Sequence, residues 1–337
     1  MQLFLDSFGA SLRVKNKMFW VKPRHSEGKM FAVREVKAIF ITKGVHVSSD
    51  ALLLAIKYTI PVLIINGIGH LVGQVWSGQY GSIATIRKQQ ALLSRHYKGM
   101  RWIKVLMIQK LESQKHLIQR WMNKNPVSNH EKMDGGIRVI HNMMMKYEAL
   151  EIDKHDDLKT IEGSFRGWEG TASRHYFICL SQLLPAQYQF KNRSKRPAYD
   201  NFNALLNYLY GILYSQVHLS LIKAGIDPFM SIFHADQYNK PTFVYDVIEI
   251  YRHWMEEIAL RICHSGKLPD DAFVTPNDRT GIWINRPAKP IVVNSCFDFL
   301  NEKIEYNGIP RKRLTHIDLD AQRWATQFKT MNFDEEY

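Results

Sequence analysis

Short apolar runs separated by turn-forming residues characterise the first part of the chain. The runs are rich in β-branched, aromatic and aliphatic side chains and lie at residues 3–5, 11–14, 18–21 and 38–41. Turn-like segments lie between them, at residues 6–9, 15–17 and 26–28. This alternation predicts short β-strands.

A helix and a hairpin are predicted next. Ser48 or Ser49 can cap a helix whose apolar body is residues 51–56. Residues 61–65 are typical of a buried strand. Asn66-Gly67 can then turn the chain, and residues 70–76 can return as the second arm of a hairpin.

The pattern changes to helical periodicity after residues 79–82. Residues 83–120 contain no proline, and their apolar positions recur near helical spacing. The polar stretch 123–136 predicts a loop between helices. The change near residues 78–84 predicts a domain boundary.

The predicted fold class is therefore α+β. A small β-rich N-terminal domain at residues 1–80 precedes a larger all-α domain at residues 84–337.

The charge balance indicates a polyanionic partner. The 337 residues carry 45 Lys and Arg against 32 Asp and Glu, a net charge of +13. A basic surface of this size suits DNA, RNA or an anionic membrane, although it also serves solubility. Residues 83–120 contribute Arg87, Lys88, Arg95, Lys98, Arg101, Lys104, Lys110, Lys115 and Arg120. This set is either a solvated helical face or a surface that follows DNA phosphates.

Several classes of protein are disfavoured. No stretch approaches the ~18–20 apolar residues of a membrane span, and residues 1–6 lack the features of a signal peptide. The cysteines, Cys179, Cys263 and Cys296, are odd in number and form no CxxC pair. We therefore expect no disulfide framework, and we expect a cytoplasmic location.

Two candidate site residues stand apart in the helical part. Glu169 precedes a helix predicted over residues 171–184, where the helix dipole favours a carboxylate even without a function. His234 lies beside apolar residues, and such a histidine is more often structural than a ligand. Neither residue establishes a site alone.

A carboxylate pair lies on a helix predicted over residues 243–263. Asp246 and Glu249 fall opposite its apolar stripe, together with His253 and Glu257. This face alone is typical of solvent exposure. Asp246 and Glu249 are about one turn apart, however, so both carboxylates can reach one point. There they can bind a cation or form ion pairs with basic side chains.

Two basic clusters complete the constellation. Residues 191–197 include Arg193, Lys195 and Arg196, and a second cluster lies at residues 311–313. Each is either an ordinary solvated loop or a loop that binds phosphates.

Phosphodiester transesterification needs an activated hydroxyl and stabilisation of the charge on the phosphate and the leaving oxygen. A divalent ion held by carboxylates supplies both. An added imidazole favours softer ions such as Mn²⁺.

Several motifs resemble the CRISPR-associated adaptation integrase family over nearly the whole chain. They are Val47-Ser48-Ser49-Asp50-Ala51-Leu52, Ile60-Pro61-Val62 with Asn66-Gly67, Gly167-Trp168-Glu169-Gly170, the stretch 203–210, Gly225-Ile226-Asp227-Pro228, His234, and Tyr245-Asp246-Val247-Ile248-Glu249 with Arg252. This chain departs from the family at Asn201, where Pro is common, at Ser231, where Gly is common, and at His253, where Pro is frequent. Residues 275–290 resemble an insertion.

The resemblance implies a metal-dependent DNA endonuclease and integrase. Its metal ligands would be Glu169, His234 and Glu249, holding Mg²⁺ or Mn²⁺, with Asp246 also needed for activity. It implies a homodimer, two of which are bridged by a small ferredoxin-like partner. The 3′-hydroxyl of a captured double-stranded DNA fragment would attack the repeat. A metal-dependent nuclease on branched DNA and a non-enzymatic DNA-binding scaffold are the alternatives.

Overall fold

The computed structural model describes residues 1–66, 71–75, 83–124, 130–277 and 280–333. They form two compact units, one within residues 1–82 and one within residues 83–337. The predictions made for Gly67, His70, Trp76 and residues 78–82 lie outside the described residues. No described helix has the length and apolarity needed to cross a membrane.

Two mixed sheets form the N-terminal unit. Its strands are β1 (Gln2–Leu5), β2 (Ser11–Lys15), β3 (Met18–Lys22), β4 (Lys29–Phe31), β5 (Ala38–Ile41), β6 (His46–Val47), β7 (Val62–Ile65) and β8 (Leu71–Val75). One sheet has the order β1-β5-β7-β8 and the other β4-β3-β2-β6. All four residues of β5 are buried, because this strand is central and covered on both faces.

One helix packs into this unit. Ser48 caps helix α1 (Ser49–Lys57), and its Oγ accepts a hydrogen bond from the Ala51 amide at 3.3 Å. Strands β7 and β8 pair antiparallel, as the hairpin prediction requires for the described residues. The strand predictions for the first part of the chain are confirmed.

Helices dominate the second unit. They are α2 (Ile83–Leu93), α3 (Tyr97–Lys124), α4 (His130–Ala149), α5 (Leu158–Gln182), α6 (Asn201–Lys223), α7 (Thr242–Ile248), α8 (Arg252–Ser265), α9 (Lys289–Asn301) and α10 (Arg313–Thr330). Two short hairpins accompany them, β9 (Phe273–Val274) with β10 (Trp283–Ile284) and β11 (Lys303–Tyr306) with β12 (Ile309–Lys312).

Helix α6 is the centre of the helical core. It is buried around nearly its whole circumference, and most of the side chains that it buries are apolar. It packs against α7, α8, α9 and α10. The α+β fold class, with a strand-rich part followed by a helical part, is confirmed.

Two predicted helix bounds were wrong. The helix bearing Glu169 begins at Leu158, where Asp157 caps it, so Glu169 lies mid-helix and the dipole argument does not apply. The segment 83–120, predicted to be mostly helical, forms α2 and most of α3, which residues 94–96 separate. The predicted loop 123–136 is helical at residues 123–124 and from His130 onward, and its residues 125–129 lie outside the described part of the chain.

Glycine explains the last error. Gly135 and Gly136 suggested a loop, but both lie inside α4. A Cβ built on Gly136 would lie 2.3 Å from the Cys179 sulfur. Gly136 therefore permits the close approach of α4 to α5, a packing role that a single sequence does not distinguish from a turn.

Candidate active site

Two glutamates and a lysine from three separate elements meet at one point. Lys110 of α3 places its Nζ 2.6 Å from Oε1 of Glu169 on α5 and 2.7 Å from Oε2 of Glu249. The side chains of Lys110 and Glu249 are only 3% and 6% exposed, whereas that of Glu169 is 34% exposed. The carboxylates converge on one cation position, which meets solvent on the Glu169 side.

A short 3-10 turn, Glu249–Tyr251, places Glu249 between α7 and α8. Local 3-10 geometry in an otherwise α-helical run is common at functional positions. The Tyr251 hydroxyl donates to Oδ2 of Asp320 on α10 at 2.6 Å, which fixes the turn in the core. Asp246, Glu249 and Glu257 are buried, so the expectation of a solvated polar face was wrong for these carboxylates.

Arg252 holds the other oxygen of Glu249. Its Nη2 lies 3.0 Å from Glu249 Oε1 and also donates to the Tyr214 hydroxyl at 3.0 Å. The Arg252 guanidinium stacks over the Tyr210 ring, 5.2 Å from its centroid. These contacts fix the orientation of the Glu249 carboxylate.

The three charges stabilise one another. The charge of Lys110 is the main reason that the pKa of Glu169 falls to about 2. Burial opposes ionisation of Glu249, but Arg252 and Lys110 outweigh it and lower the pKa of Glu249. Burial likewise opposes the charge of Lys110, yet Glu249 and Glu169 outweigh it and raise the pKa of Lys110.

Asp246 organises the segment that bears His234. Its buried carboxylate accepts hydrogen bonds from the backbone amides of Ile232, Phe233 and His234 at 2.7, 3.2 and 3.0 Å. The Ser231 hydroxyl donates to it at 2.8 Å, which gives this departure from the family pattern a local role.

The same carboxylate orients the His234 ring. Nδ1 of His234 lies 2.7 Å from Asp246 Oδ1. Because a carboxylate only accepts, Nδ1 carries a proton, and in the neutral form of the ring Nε2 then has the lone pair. The His234 side chain is 38% exposed, so this lone pair is open to a ligand.

The carboxylate pair fits a divalent ion. Carboxylate oxygens are the ligands that hard divalent ions prefer. Glu249 Oε2 is buried and has no aligned hydrogen-bond donor among the described residues, and the Lys110 ammonium at 2.7 Å is its charged partner, so this oxygen is placed to face a cation. Within the described part of the chain, however, no three His, Cys, Asp or Glu side chains are spaced to hold one ion. The structure brings Glu169 and Glu249 together but does not assemble His234 with them.

The comparisons with known proteins decide the family. The family model described as "CRISPR associated protein Cas1" matches residues 3–296. This chain belongs to the Cas1 family. A Thermus thermophilus relative named "CRISPR-associated endonuclease Cas1 1" is 26% identical over 326 residues, which cover 96% of this chain and 94% of the relative.

Solved structures share the fold. The chain described as "Casposase bound to integration product" aligns with a TM-score of 0.80 at 18% identity, covering 100% of this chain and 94% of that one. A chain from a "Cas6-RT-Cas1--Cas2 complex" aligns at 0.78 and 21% identity, covering 97% of this chain and 35% of that chain. The resemblance stated from the sequence is confirmed.

The basic loop of this Cas1 family member contains one arginine with a clear internal role. Arg193 donates to Asn203 Oδ1 at 2.7 Å and to Asn207 Oδ1 at 2.6 Å, both on α6. Its guanidinium stacks over the Tyr210 ring at 5.4 Å. Burial lowers the pKa of Arg193. These contacts tie the loop to the core and direct its donors inward.

Lys195 and Arg196 remain exposed. Partial burial and the charge of Arg252 lower the pKa of Lys195, and Glu249 and Glu169 oppose that change. Lys195 is therefore within electrostatic range of the carboxylate cluster.

The segment 275–290 could not be assigned from the sequence. It contains β10, and the Ile282 amide donates to the carbonyl of Ala198 near the basic loop at 2.9 Å.

The basic residues of α3 are largely engaged within the protein. Lys98 donates to the Asn332 carbonyl, Arg101 to the Ile152 carbonyl, and Lys104 to the Glu148 and Leu150 carbonyls. Lys104 thereby satisfies carbonyls at the end of α4, where helical partners run out. These side chains connect elements of the fold.

Sequence reasoning missed the position of Lys110 at the centre of the site. It was grouped with the other basic residues of the segment 83–120. The available signal was its position in the apolar stripe of α3, where its neighbours Ile103, Met107 and Leu117 are buried. A lysine inside such a stripe needs a buried acidic partner.

Proposed function

We propose that this protein is a cytoplasmic CRISPR adaptation integrase that uses Mg²⁺ or Mn²⁺ to insert short double-stranded DNA fragments into the repeat array. The observation that carries the proposal is the convergence of Glu169 and Glu249 on one cation position in a member of the Cas1 family. Two similar proteins support this class of chemistry, the Thermus thermophilus relative named as an endonuclease and the casposase bound to integration product.

Glu169 and Glu249 are the residues that would hold the ion. His234 is the third ligand that the family resemblance implies, although the described structure does not assemble it with the two glutamates. When bound, a divalent ion supplies charge stabilisation at the phosphate and activation of the attacking 3′-hydroxyl. The protein's own residues prepare this arrangement. Arg252 fixes the Glu249 carboxylate, and Asp246 orients His234 with its Nε2 lone pair free, as second-sphere carboxylates do for metal-bound histidines.

The exposed basic loop would hold DNA. Lys195 lies within electrostatic range of Glu249 and Glu169, where it can contact the phosphate backbone next to the reacting phosphodiester. Arg196 extends this positive surface, and Arg193 supports the loop from inside. The net charge of +13 favours association with DNA.

The proposed assembly is a homodimer formed through the β-rich N-terminal domain at residues 1–80, with catalysis in residues 84–337. Two dimers would be bridged by a small ferredoxin-like partner subunit. A chain of this fold occurs in a Cas1–Cas2 complex, which supports such a partner here.

The test is an integration assay. Purified protein, with and without its partner subunit, is incubated with Mn²⁺, a labelled short duplex bearing 3′-hydroxyls, and a supercoiled plasmid carrying a repeat. The proposal predicts covalent transfer of label into the plasmid, abolished by Glu249→Gln and retained by Glu162→Gln, a control carboxylate on α5. Nicking without transfer in the presence of the partner would indicate a nuclease, and DNA binding without either reaction would indicate a scaffold.

A further inference from the structure

Three separate elements of the helical unit are joined through one nitrogen atom. The Lys110 ammonium on α3 contacts a carboxylate of α5 and a carboxylate of the turn between α7 and α8. These are the two carboxylates that the proposed function assigns to the metal. The role inferred below for Lys110 rests on that proposed function.

Burial makes a cation necessary at this point. Two carboxylates that face each other away from bulk water repel strongly, and burial also disfavours each charge separately. The Glu249 side chain is 6% exposed, so water cannot supply much of the missing stabilisation. Arg252 is engaged with Oε1 of Glu249 and leaves Oε2 to another partner.

The position admits one cation at a time. Glu169 Oε1 and Glu249 Oε2 approach the Lys110 nitrogen at 2.6 and 2.7 Å. An ion bound by the same two oxygens would occupy nearly the volume of the ammonium group, and two positive charges at that separation repel. The four-carbon stem of lysine is flexible enough to withdraw the ammonium.

We infer that Lys110 is the resident cation of the Glu169–Glu249 pair, and that a divalent ion binds there only by displacing its ammonium group. The lysine keeps the carboxylates assembled before metal arrives. It also lowers the affinity for the metal ion, because the ion must displace the ammonium group from an existing ion pair.

Removal of the lysine charge should therefore have opposite effects on the two states. The metal-free protein loses its counterion and becomes less stable, whereas the metal-bound protein loses a competitor. Lys110→Met keeps an unbranched apolar stem of similar length, and Lys110→Gln keeps hydrogen-bond donors if the methionine variant folds poorly. Lys104→Met is the matched control, because Lys104 lies on the same helix and its acceptors among the described residues are backbone carbonyls.

The experiment measures Mn²⁺ binding to the full-length protein from the electron paramagnetic resonance signal of free Mn²⁺. Both Lys110 variants should bind Mn²⁺ at least about tenfold more tightly than wild type, since a like charge is removed next to the ion. The control should bind as wild type does. The melting temperatures should show the same pattern. In EDTA the Lys110 variants should melt at a lower temperature than wild type, and added Mn²⁺ should raise their melting temperatures by more than it raises that of wild type.

If wild type binds Mn²⁺ and both Lys110 variants bind it equally or more weakly than wild type, the inference about Lys110 is overturned. The proposed metal site is still supported in that case, because wild type binds the ion. Loss of the wild-type Mn²⁺ binding in Glu249→Gln would assign that binding to this pair. Absence of Mn²⁺ binding in wild type and in every Lys110 variant would overturn the proposed metal site together with the inference.

Discussion

Asp246 shows how one buried side chain can position another, here His234, which we propose as a metal ligand. Its two oxygens accept bonds from three consecutive backbone amides, the Ser231 hydroxyl and the His234 ring. We interpret Asp246 as a positioning residue for His234. A substitution of Asp246 should therefore change activity indirectly, because it changes the conformation of the segment 231–234.

Asp246→Asn should damage both the fold and the reaction. An amide nitrogen would face backbone donors, and buried donors left without acceptors cost about 1–3 kcal/mol each. We expect a loss of at least about 2 kcal/mol in the free energy of unfolding, measured with urea, and at least about tenfold slower integration. Ser231→Ala, which removes one donor, should lose less on both measures. Wild-type stability in Asp246→Asn would contradict this role.

His218 predicts a pH dependence of stability. Burial in α6 lowers the pKa of His218 to about 4, against about 6.5 in an unfolded chain. The unfolded chain therefore binds more protons between these values, so the stabilisation is complete above pH 6.5 and is lost as the pH falls toward 4. Between pH 7 and pH 5 His218 should account for a loss of about 2 kcal/mol.

His218→Phe tests this contribution by urea unfolding at both pH values. The variant should lose about 2 kcal/mol less than wild type between pH 7 and pH 5. His155→Gln, at an exposed position, should behave as wild type. An identical pH dependence in wild type and His218→Phe would refute the interpretation.

At the residue scale, the sequence was most informative where a family motif exists. Glu169, His234, Asp246 and Glu249 were proposed from the resemblance, and the structure brings Glu169 to Glu249 and Asp246 to His234. Lys110 was not singled out, because its charge resembles that of its exposed neighbours. Its partners lie 59 and 139 residues away, and no local pattern connects them.

At the scale of elements, a pair of adjacent glycines gives a sharp test of packing. A Cβ on Gly136 would meet Cys179, whereas the contact of one on Gly135 within the described residues is the Arg138 guanidinium at 3.9 Å. Gly136→Ala should lower the free energy of unfolding by about 1–3 kcal/mol because of overpacking. Gly135→Ala should raise it by up to about 1 kcal/mol through helix propensity. Equal effects in the two variants, measured with urea, would contradict the close α4–α5 contact.

Helix bounds were the least predictable feature of the elements. Local signals succeeded at α1, where Ser48 provides the cap. They failed at α5, because the capping Asp157 lies well before the apolar stretch used to place the helix. They failed again at α4, where tertiary packing requires a glycine inside a helix.

At the scale of the whole molecule, the net positive charge has two uses. Arg193 lies inside the loop that it supports, whereas Arg196 is exposed on the same loop. Arg196→Gln should weaken DNA binding and reduce the slope of log affinity against log salt concentration by about one. Arg193→Gln should instead lower thermal stability. A salt slope equal to that of wild type in Arg196→Gln would exclude this arginine from phosphate contact.

The central claim is that Glu169 and Glu249 act as a single unit at one cation position. The most direct measurement is the single-turnover integration rate of Glu169→Gln, Glu249→Gln and the double variant, with the partner subunit present. The account predicts that each single variant loses at least about a thousandfold and that the double variant loses no more, because groups that act as a unit are non-additive. Independent, multiplying losses, or a wild-type rate in either single variant, would contradict it.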